Sequence, residues 1–156
     1  MYFGSDRAGG KGRTDIYRSR LVDGKYTEPE NLGESINTQF EEFEPYIAPD
    51  QKYLIFMAQR PDGRGGSDLY ISYQRNGTWT KAANLGDKIN SSGAEYSPLV
   101  TPDGKYFFWS STRSLPSTSQ TKRLTYTDLL NKLRSPGNGL GDIYQIDISA
   151  LNIQLQ

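Results

Sequence analysis

The sequence predicts an all-β fold, and two observations support this prediction. Short runs of aromatic and β-branched residues alternate with turn residues along most of the chain. Aromatic and β-branched residues fit a pleated sheet, whereas Gly, Pro, Asn and Asp set turns. In addition, one pattern recurs at a spacing of 53 positions without a gap, so that Pro45 and Asp50 return as Pro98 and Asp103. The chain is therefore built from copies of one β-rich unit.

The middle copy shows the predicted strands of this unit most clearly. Asn76-Gly77 is its strongest hairpin signal, because both residues accept the positive φ angles of a tight turn. A repeat of four antiparallel strands in about 40 to 50 residues is typical of a propeller blade, whose faces are covered by neighbouring blades. We therefore predict a β-propeller of four-stranded antiparallel blades, in preference to an open β-sandwich, which requires no ungapped repeat. The four predicted strands of this copy are residues 43–48, 53–58, 68–73 and 78–85.

The repeat divides the chain into about three blades of one partial propeller domain. The first copy begins at its second strand, because Met1-Tyr2-Phe3 aligns with Leu54-Ile55-Phe56. In the third copy, residues 142–148 supply a third strand and residues 151–155 a fourth. The domain spans residues 1–156, and its blades are residues 1–41, 42–94 and 95–156.

The third copy contains an insertion. An unbroken repeat would place the aspartate that corresponds to Asp68 at position 121, whereas the chain has it 21 positions later, at Asp142. Within the inserted segment, residues 114–138, Leu129 and Leu133 have helical spacing, and a threonine is available as the N-cap. We predict a loop with a short helix there, which either carries an individual function or is a lid over a blade edge or the dimer interface.

Two segments resemble a known repeat family. Residues 45–56 read Pro-Tyr-Ile-Ala-Pro-Asp-Gln-Lys-Tyr-Leu-Ile-Phe, and residues 98–109 read Pro-Leu-Val-Thr-Pro-Asp-Gly-Lys-Tyr-Phe-Phe-Trp. They resemble the WD40-like repeats of TolB-type propellers, which have a Pro-Asp-Gly turn and a following Ser-x-Arg-like tag. Ser5-Asp6-Arg7 and Ser111-Thr112-Arg113 match the tag, while the middle copy has Gln51 in place of the turn glycine. The resemblance implies the propeller fold and suggests a periplasmic or extracellular location, but it leaves the activity open.

The number of blades predicts self-association. Closed propellers have about four to eight blades, so an arc of three leaves two blade faces without a neighbour. Two chains would close a six-bladed ring about a two-fold axis, the commonest symmetry of homo-oligomers. We therefore expect a homodimer. The alternative is that the chain is the C-terminal half of a longer six-bladed protein, whose export signal would lie in the other half, since this sequence shows no signal peptide.

Composition narrows the possible functions. The 18 basic and 18 acidic residues balance, and no basic stripe is present, so a nucleic-acid partner is not expected. The apolar runs are only as long as a strand, so we expect no membrane insertion. The sequence contains no cysteine and no histidine. This excludes cysteine nucleophiles, serine-histidine triads and thiolate or histidine metal sites, and we predict neither a metal nor a cofactor. Catalysis by paired carboxylates is still possible.

Candidate ligand-binding residues lie before the innermost strands. Glu42 and Glu95 occupy equivalent positions in successive blades, where the strands converge on the mouth of a central channel. Together with Phe43 and Tyr96, they would suit a cation, an amine or sugar hydroxyls. The other interpretation is structural: each glutamate caps its own strand or pairs with a recurring arginine.

Arginine and aspartate also recur in every copy, and we interpret them as scaffold. The arginine follows the second strand and the aspartate opens the third, so the two lie at the ends of one hairpin and can form a hydrogen-bonded pair. The expected pairs are Arg7 with Asp15, Arg60 with Asp68, and Arg113 with Asp142.

These observations favour a non-enzymatic binding module, which takes a protein segment or a small polar ligand at the channel mouth. The first alternative is a carbohydrate-active hydrolase that uses channel carboxylates. Such an enzyme requires two acids at a catalytic separation in a deep pocket, one of them protonated near neutral pH. The second alternative is a half-propeller fragment without independent activity.

Overall fold

The computed structural model describes residues 1–114, 123–151 and 153 of the chain. Within these residues, strands make up most of the regular structure, with one α-helix and a short 3-10 helix. The all-β prediction is therefore confirmed. The strands are β1 (Tyr2–Ser5), β2 (Asp15–Arg18), β3 (Leu21–Val22), β4 (Lys25–Tyr26), β5 (Glu30–Asn31), β6 (Glu41–Ile47), β7 (Tyr53–Gln59), β8 (Asp68–Arg75), β9 (Thr78–Trp79), β10 (Ala83–Asn84), β11 (Glu95–Val100), β12 (Tyr106–Ser111) and β13 (Asp142–Asp147).

The strands form three main antiparallel sheets, one in each copy of the repeat. The first sheet has the order β1-β2-β5, the second β10-β8-β7-β6 with β9 beside β8, and the third β11-β12-β13. The register also repeats, because Phe3 pairs with Tyr17, Phe56 with Tyr70, and Trp109 with Tyr144. The spacing seen in the sequence is thus a spacing of equivalent sheet positions.

The predicted inner strands are present, but the outermost ones are shorter than expected. The turn at Asn76 and Gly77 has the expected positive φ angles of 50° and 82°. The strand predicted over residues 78–85 is two separate two-residue strands, β9 and β10. In the third copy, Leu151 ends a 3-10 helix, Ile148–Leu151, and does not begin a strand. The rest of that predicted strand lies outside the described residues, except for residue 153.

Two apolar cores lie between successive sheets. In the first core, Ile16 of β2 packs with Leu54, Phe56 and Tyr70 of the second sheet. In the second core, Leu69 of β8, which is equivalent to Ile16 in the repeat, packs with Phe107 of the third sheet. Burial of each such side chain contributes roughly 1.5–3 kcal/mol to folding. Each sheet therefore holds the next one by the same face of its third strand.

Glycine-rich turns allow close approach between the sheets. A Cβ atom on Gly65 would lie 1.9 Å from the carbonyl oxygen of Gly93, and one on Gly12 would lie 1.8 Å from that of Phe40. Next to these turns, Ser67 forms a parallel bridge with Ala94. The turns before β2 and β8 therefore contact the start of the next sheet directly.

The helix predicted in the insertion is present as α1 (Tyr126–Arg134). Thr125 is the N-cap and forms a capping box with Asp128, so that two of the free donors at the helix start are bonded. None of its residues is buried, and Leu129 and Leu133 are exposed. Residues 115–122 of the insertion lie outside the described residues.

Candidate functional site

Glu42, the first predicted ligand residue, is fully buried at the start of β6. Its Oε2 accepts from the amide of Thr38 at 3.0 Å, and its Oε1 accepts from the Thr38 hydroxyl at 2.5 Å and from Arg60 Nε at 3.0 Å. A buried carboxylate is tolerated when it is paired and hydrogen-bonded in this way. Glu42 thus joins the linker before β6 to the end of β7.

Glu95 repeats this arrangement in the third sheet. It is also fully buried, and it accepts from the amide and hydroxyl of Ser91 at 2.8 and 2.6 Å. The hydroxyl of Ser111 donates to it at 2.5 Å, and Arg113 lies 3.8 Å away. Both glutamates are therefore internal groups in contact with the recurring arginine, as the structural interpretation describes. Neither presents a carboxylate at an open surface.

The two aromatic candidates, Phe43 and Tyr96, are half-buried and face glycines. The Cβ of Phe43 lies 3.2 Å from the place where a Cβ on Gly4 would stand. The hydroxyl of Tyr96 lies 2.5 Å from the corresponding point of Gly141. These side chains pack over backbone that has no side chain of its own, so much of their surface is already in contact.

An exposed carboxylate, which the sequence analysis did not single out, lies two residues after Glu42. Glu44 and Ser97 occupy equivalent bulges in β6 and β11, where both residues have left-handed backbone with φ of 50° and 51°. Oε2 of Glu44 accepts from the amide and hydroxyl of Ser97 at 2.6 and 3.1 Å. The bulges therefore link the innermost strands of two sheets. The signal in the sequence is the recurring proline, Pro45 and Pro98, which each bulge residue directly precedes.

The recurring aspartates do not pair with the recurring arginines, contrary to the prediction. Asp68 accepts from the turn amides of Arg64 and Gly65 at 2.8 and 3.2 Å, and from Nδ2 of Asn84 at 2.7 Å. Asp15 has the same three kinds of partner, and Asp142 accepts from the amide of Gly137 at 2.8 Å. These carboxylates point into the turn that precedes them. They therefore order the glycine-rich turns and the end of the insertion.

Asparagines complete this network, and the sequence analysis gave them no role. Asn90 is buried, donates to the carbonyl of Leu69 at 2.9 Å and accepts from its amide at 2.8 Å. It also donates to Oδ1 of Asn84 at 2.8 Å. Asn37 makes the same contacts with Ile16 and Asn31. Their signal in the sequence was recurrence at the repeat spacing, as Ile36-Asn37 and Ile89-Asn90, among other polar residues.

The recurring arginines lie over aromatic rings. The guanidinium carbon of Arg60 lies 5.4 and 4.6 Å from the ring centres of Phe56 and Tyr70. Arg113 lies over Trp109 and Tyr144 in the same way. These two arginines also donate to the backbone carbonyls of Ile36 and Ile89, respectively. The side chains that were expected to meet the aspartates thus turn back over their own sheet, towards the glutamates.

Arg7 has the ring contacts of its equivalents but no glutamate beside it among the described residues. Its guanidinium carbon lies 5.2 Å from the ring centre of Phe3 and 4.9 Å from that of Tyr17. Its Nε donates to Ser5 Oγ at 3.2 Å. The residue is exposed, whereas the side chain of Arg60 is only 8% exposed.

Among the described residues, two sheet faces have no neighbouring sheet. We call Met1 and Phe3 the leading face, and Ile143, Gln145 and Asp147 the trailing face. Ile143 is 77% exposed, although its equivalents in the first two sheets are fully buried. Met1 is 57% exposed, whereas Leu54 and Phe107 at the same position are fully buried. The equivalents of Ile143 are Ile16 and Leu69.

A polar cleft of about 340 Å³ lies between the outer parts of the first and second sheets. Its walls include Trp79 and the ion pair of Arg18 and Glu30, whose charged atoms are 2.6 Å apart. The hydrogen bond between them raises the pKa of Arg18 and lowers the pKa of Glu30. The cleft does not include Glu42 or Glu95, so the predicted ligand residues and this cleft are different places.

The part of the chain that the structure describes contains no group of three or more His, Cys, Asp or Glu side chains that could hold a metal ion. Among the same residues, no helix is long and apolar enough to span a membrane.

The comparisons with known proteins do not assign a family. Neither the scan against family profiles nor the search of curated proteins found a match to the sequence.

Proposed function

We propose that the protein is a non-enzymatic interaction module, an arc of three propeller blades that associates with a second copy of itself. Each of the three sheets is taken as a blade, and the resemblance to TolB-type repeats supports this interpretation. The observation that carries the proposal is the exposure of Ile143 at a position where Ile16 and Leu69 are fully buried by the next sheet.

The trailing face of one copy is expected to fit the leading face of another. Twice within the chain, the face that corresponds to the trailing face lies against the face that corresponds to the leading face. Stacking the trailing face of one copy on the leading face of another would repeat this contact. With two copies, the contact forms twice about a two-fold axis and yields a ring of six blades.

The geometry supports this function better than hydrolysis. A hydrolase of the paired-carboxylate type needs acids that reach a substrate. Glu42 and Glu95 are fully buried and bonded to hydroxyl and arginine groups. An exposed apolar sheet face is instead typical of a surface that binds protein.

Light scattering over a dilution series tests the proposal. We expect a mass of twice the 17.5-kDa chain for the wild type, and the monomer mass for Ile143→Glu, since a charge would be buried without a partner. Val22→Glu is the matched control, because Val22 is also exposed but lies on β3, outside both faces. A monomeric wild type would refute self-association. Masses that increase without limit would indicate open stacking in place of a ring.

A further inference from the structure

The polar cleft between the first and second sheets departs from the repeat that builds the rest of the fold. Its charged pair, Arg18 and Glu30, occupies opposed positions of β2 and β5. The equivalent positions of the second sheet hold Ile71 opposite Ala83, and Ile71 is buried in the second core. The same scaffold position is thus apolar and packed in one copy, and charged and open in the other. The repeat itself therefore does not require a cleft here.

Apolar side chains occupy the corresponding space between the second and third sheets. Ile148 and Leu151, which after the insertion are the equivalents of Gln74 and Gly77, pack against the core that contains Ile71. Between the first and second sheets, Gln74 and Gly77 themselves line the open cleft. Both walls of this space are therefore polar or small where the other copy fills it with apolar groups.

The charged pair does not make up for the lost apolar contact. Nη2 of Arg18 donates to Oε2 of Glu30 at 2.6 Å, and the side chain of Glu30 is 49% exposed. An ion pair with so much solvent contact adds little to stability. Within the described residues, Nε of Arg18 is buried without an acceptor, and a buried donor of this kind lowers stability. The pair therefore contributes less to folding than the apolar pair of the second sheet.

The polar groups of the cleft suit a neutral ligand with several hydroxyls. Arg18 offers donors and Glu30 an acceptor side by side, and a hydroxyl group both donates and accepts. Each acid that lines the cleft also has a cation beside it, because Glu30 is paired with Arg18 and Glu34 with Lys11. With these charges balanced, the cleft has no excess charge that would favour an ion.

Trp79 adds an apolar wall to the cleft. Its ring lies at 87° to the ring of Tyr2, with the ring centres 6.4 Å apart, and this edge contact holds its orientation. Such a ring packs well against the C–H groups of a ligand whose hydroxyls are bonded elsewhere. The volume of about 340 Å³ is at the lower end of the range of small-molecule sites, about 300–1,000 Å³. The space therefore suits a ligand of one or two sugar rings.

We propose that this cleft binds a neutral mono- or disaccharide. Neighbouring hydroxyls of the sugar bond to Arg18 and Glu30, and its C–H face packs on Trp79. The site lies between two sheets of one chain, so it uses neither the leading face nor the trailing face.

Proton–nitrogen NMR of the complete chain tests this site, with lactose, cellobiose and N,N′-diacetylchitobiose as probes. The chain has two tryptophans, and Trp109 is buried in the second core, so its indole signal is an internal control. We expect at least one probe to shift the indole signal of Trp79 saturably and to leave that of Trp109 in place. If no probe shifts the Trp79 signal at up to about 10 mM, the proposal is wrong.

The double variant Arg18→Ile with Glu30→Ala gives the first sheet the residue pair of the second. We expect it to weaken sugar binding about tenfold or more, because charge-assisted hydrogen bonds are lost, without lowering the midpoint of urea unfolding. Glu30→Gln keeps the shape of the side chain and should cause a smaller loss, which can be measured even if the double variant does not fold.

Arg13→Ile with Glu41→Ala is the matched control. These residues also form an ion pair, with 2.8 Å between the charged atoms, but neither lines the cleft. Sugar binding should be unchanged in this variant. Equal weakening in the two double variants would contradict the assignment of the cleft.

Charged sugars test the ligand class. Glucuronate and glucosamine should bind no more tightly than methyl glucoside, because the charged groups of the cleft already have partners. Tighter binding of either charged sugar would mean that the cleft takes an ion and would overturn the proposal. These measurements do not depend on the oligomeric state, so a negative result here leaves the proposed self-association unaffected.

Discussion

At the scale of single residues, the acidic side chains have three different roles that their environment decides. Glu42 and Glu95 are buried and bonded to hydroxyls and an arginine. Asp68 is buried and bonded to turn amides. Glu44 is exposed and links two sheets. Removing one partner of a buried ion pair typically costs about 3–5 kcal/mol, so the glutamates hold the fold together.

The burial of Tyr70 predicts that the protein loses stability at alkaline pH. This residue is fully buried, and its hydroxyl donates to Asp62 at 3.0 Å. Burial raises its pKa from 10.0 to about 12. The folded state thus holds the proton more tightly than the unfolded state. We expect the stability from this proton to be complete below pH 10 and to be lost as the pH rises towards 12.

Urea unfolding between pH 8 and pH 12 measures this effect. Tyr70→Phe should lower stability by about 0.5–1.5 kcal/mol near neutral pH, through the lost hydrogen bond, and should flatten the alkaline decline. Tyr26→Phe, at an exposed position, is the control and should leave both unchanged. Some decline should remain in every variant, because burial also raises the pKa of Tyr53. An identical pH profile in Tyr70→Phe and the wild type would contradict the assignment.

The repeat identified the important residues of the site, but it did not identify their partners. Recurrence singled out Glu42, Arg60 and Asp68, and all three belong to the buried polar network. Position along a hairpin, however, does not fix the direction of a side chain. Arg60 turns back over Phe56 and Tyr70, and Asp68 turns into its own preceding turn. The expected contact between them therefore does not form.

At the scale of elements, strand prediction was accurate where hydrophobic runs are long. Residues 53–58 and 68–73 were predicted, and β7 and β8 begin at the same residues. The outer strands were overestimated, because β9 and β10 are two residues each and are partly exposed. Short strands at a sheet edge have too few apolar residues to show a period of two, so the sequence does not define their ends.

Glycine in the turn between β7 and β8 is required by contact between sheets. A Cβ on Gly65 would lie 1.9 Å from the carbonyl oxygen of Gly93. Only a shift of the backbone could relieve this clash. We expect Gly65→Ala to lower the free energy of unfolding by about 1–3 kcal/mol, as other cases of overpacking do. Urea unfolding followed by circular dichroism gives the value.

Gly66→Ala is the matched control for Gly65→Ala. A Cβ on Gly66 would meet its nearest neighbour at 3.7 Å, an ordinary van der Waals distance. The two variants change the same turn and make the same unfolded chain less flexible. If both variants lost the same stability, the cause would be turn flexibility and not the contact with Gly93.

At the scale of the whole molecule, stability comes from contacts that each sheet makes with its neighbours. The apolar cores lie between successive sheets, and the polar network of Glu42 and Asn37 crosses the same boundary. A sheet on its own would therefore leave both of its faces exposed. In the part of the chain that the structure describes, no sheet covers the leading and trailing faces, and Met1 and Ile143 are exposed there.

If two copies cover these faces as proposed, thermal stability must depend on protein concentration, since association favours the folded state by mass action. At about 0.7 kcal/mol per residue, the unfolding enthalpy of a dimer of this size gives a rise in Tm of roughly 2 °C for each tenfold increase in concentration. Differential scanning fluorimetry and calorimetry together cover a hundredfold range. Ile143→Glu should abolish the dependence and Val22→Glu should retain it. A wild-type Tm that stays constant over that range would mean that the folding of each chain is complete without its neighbour.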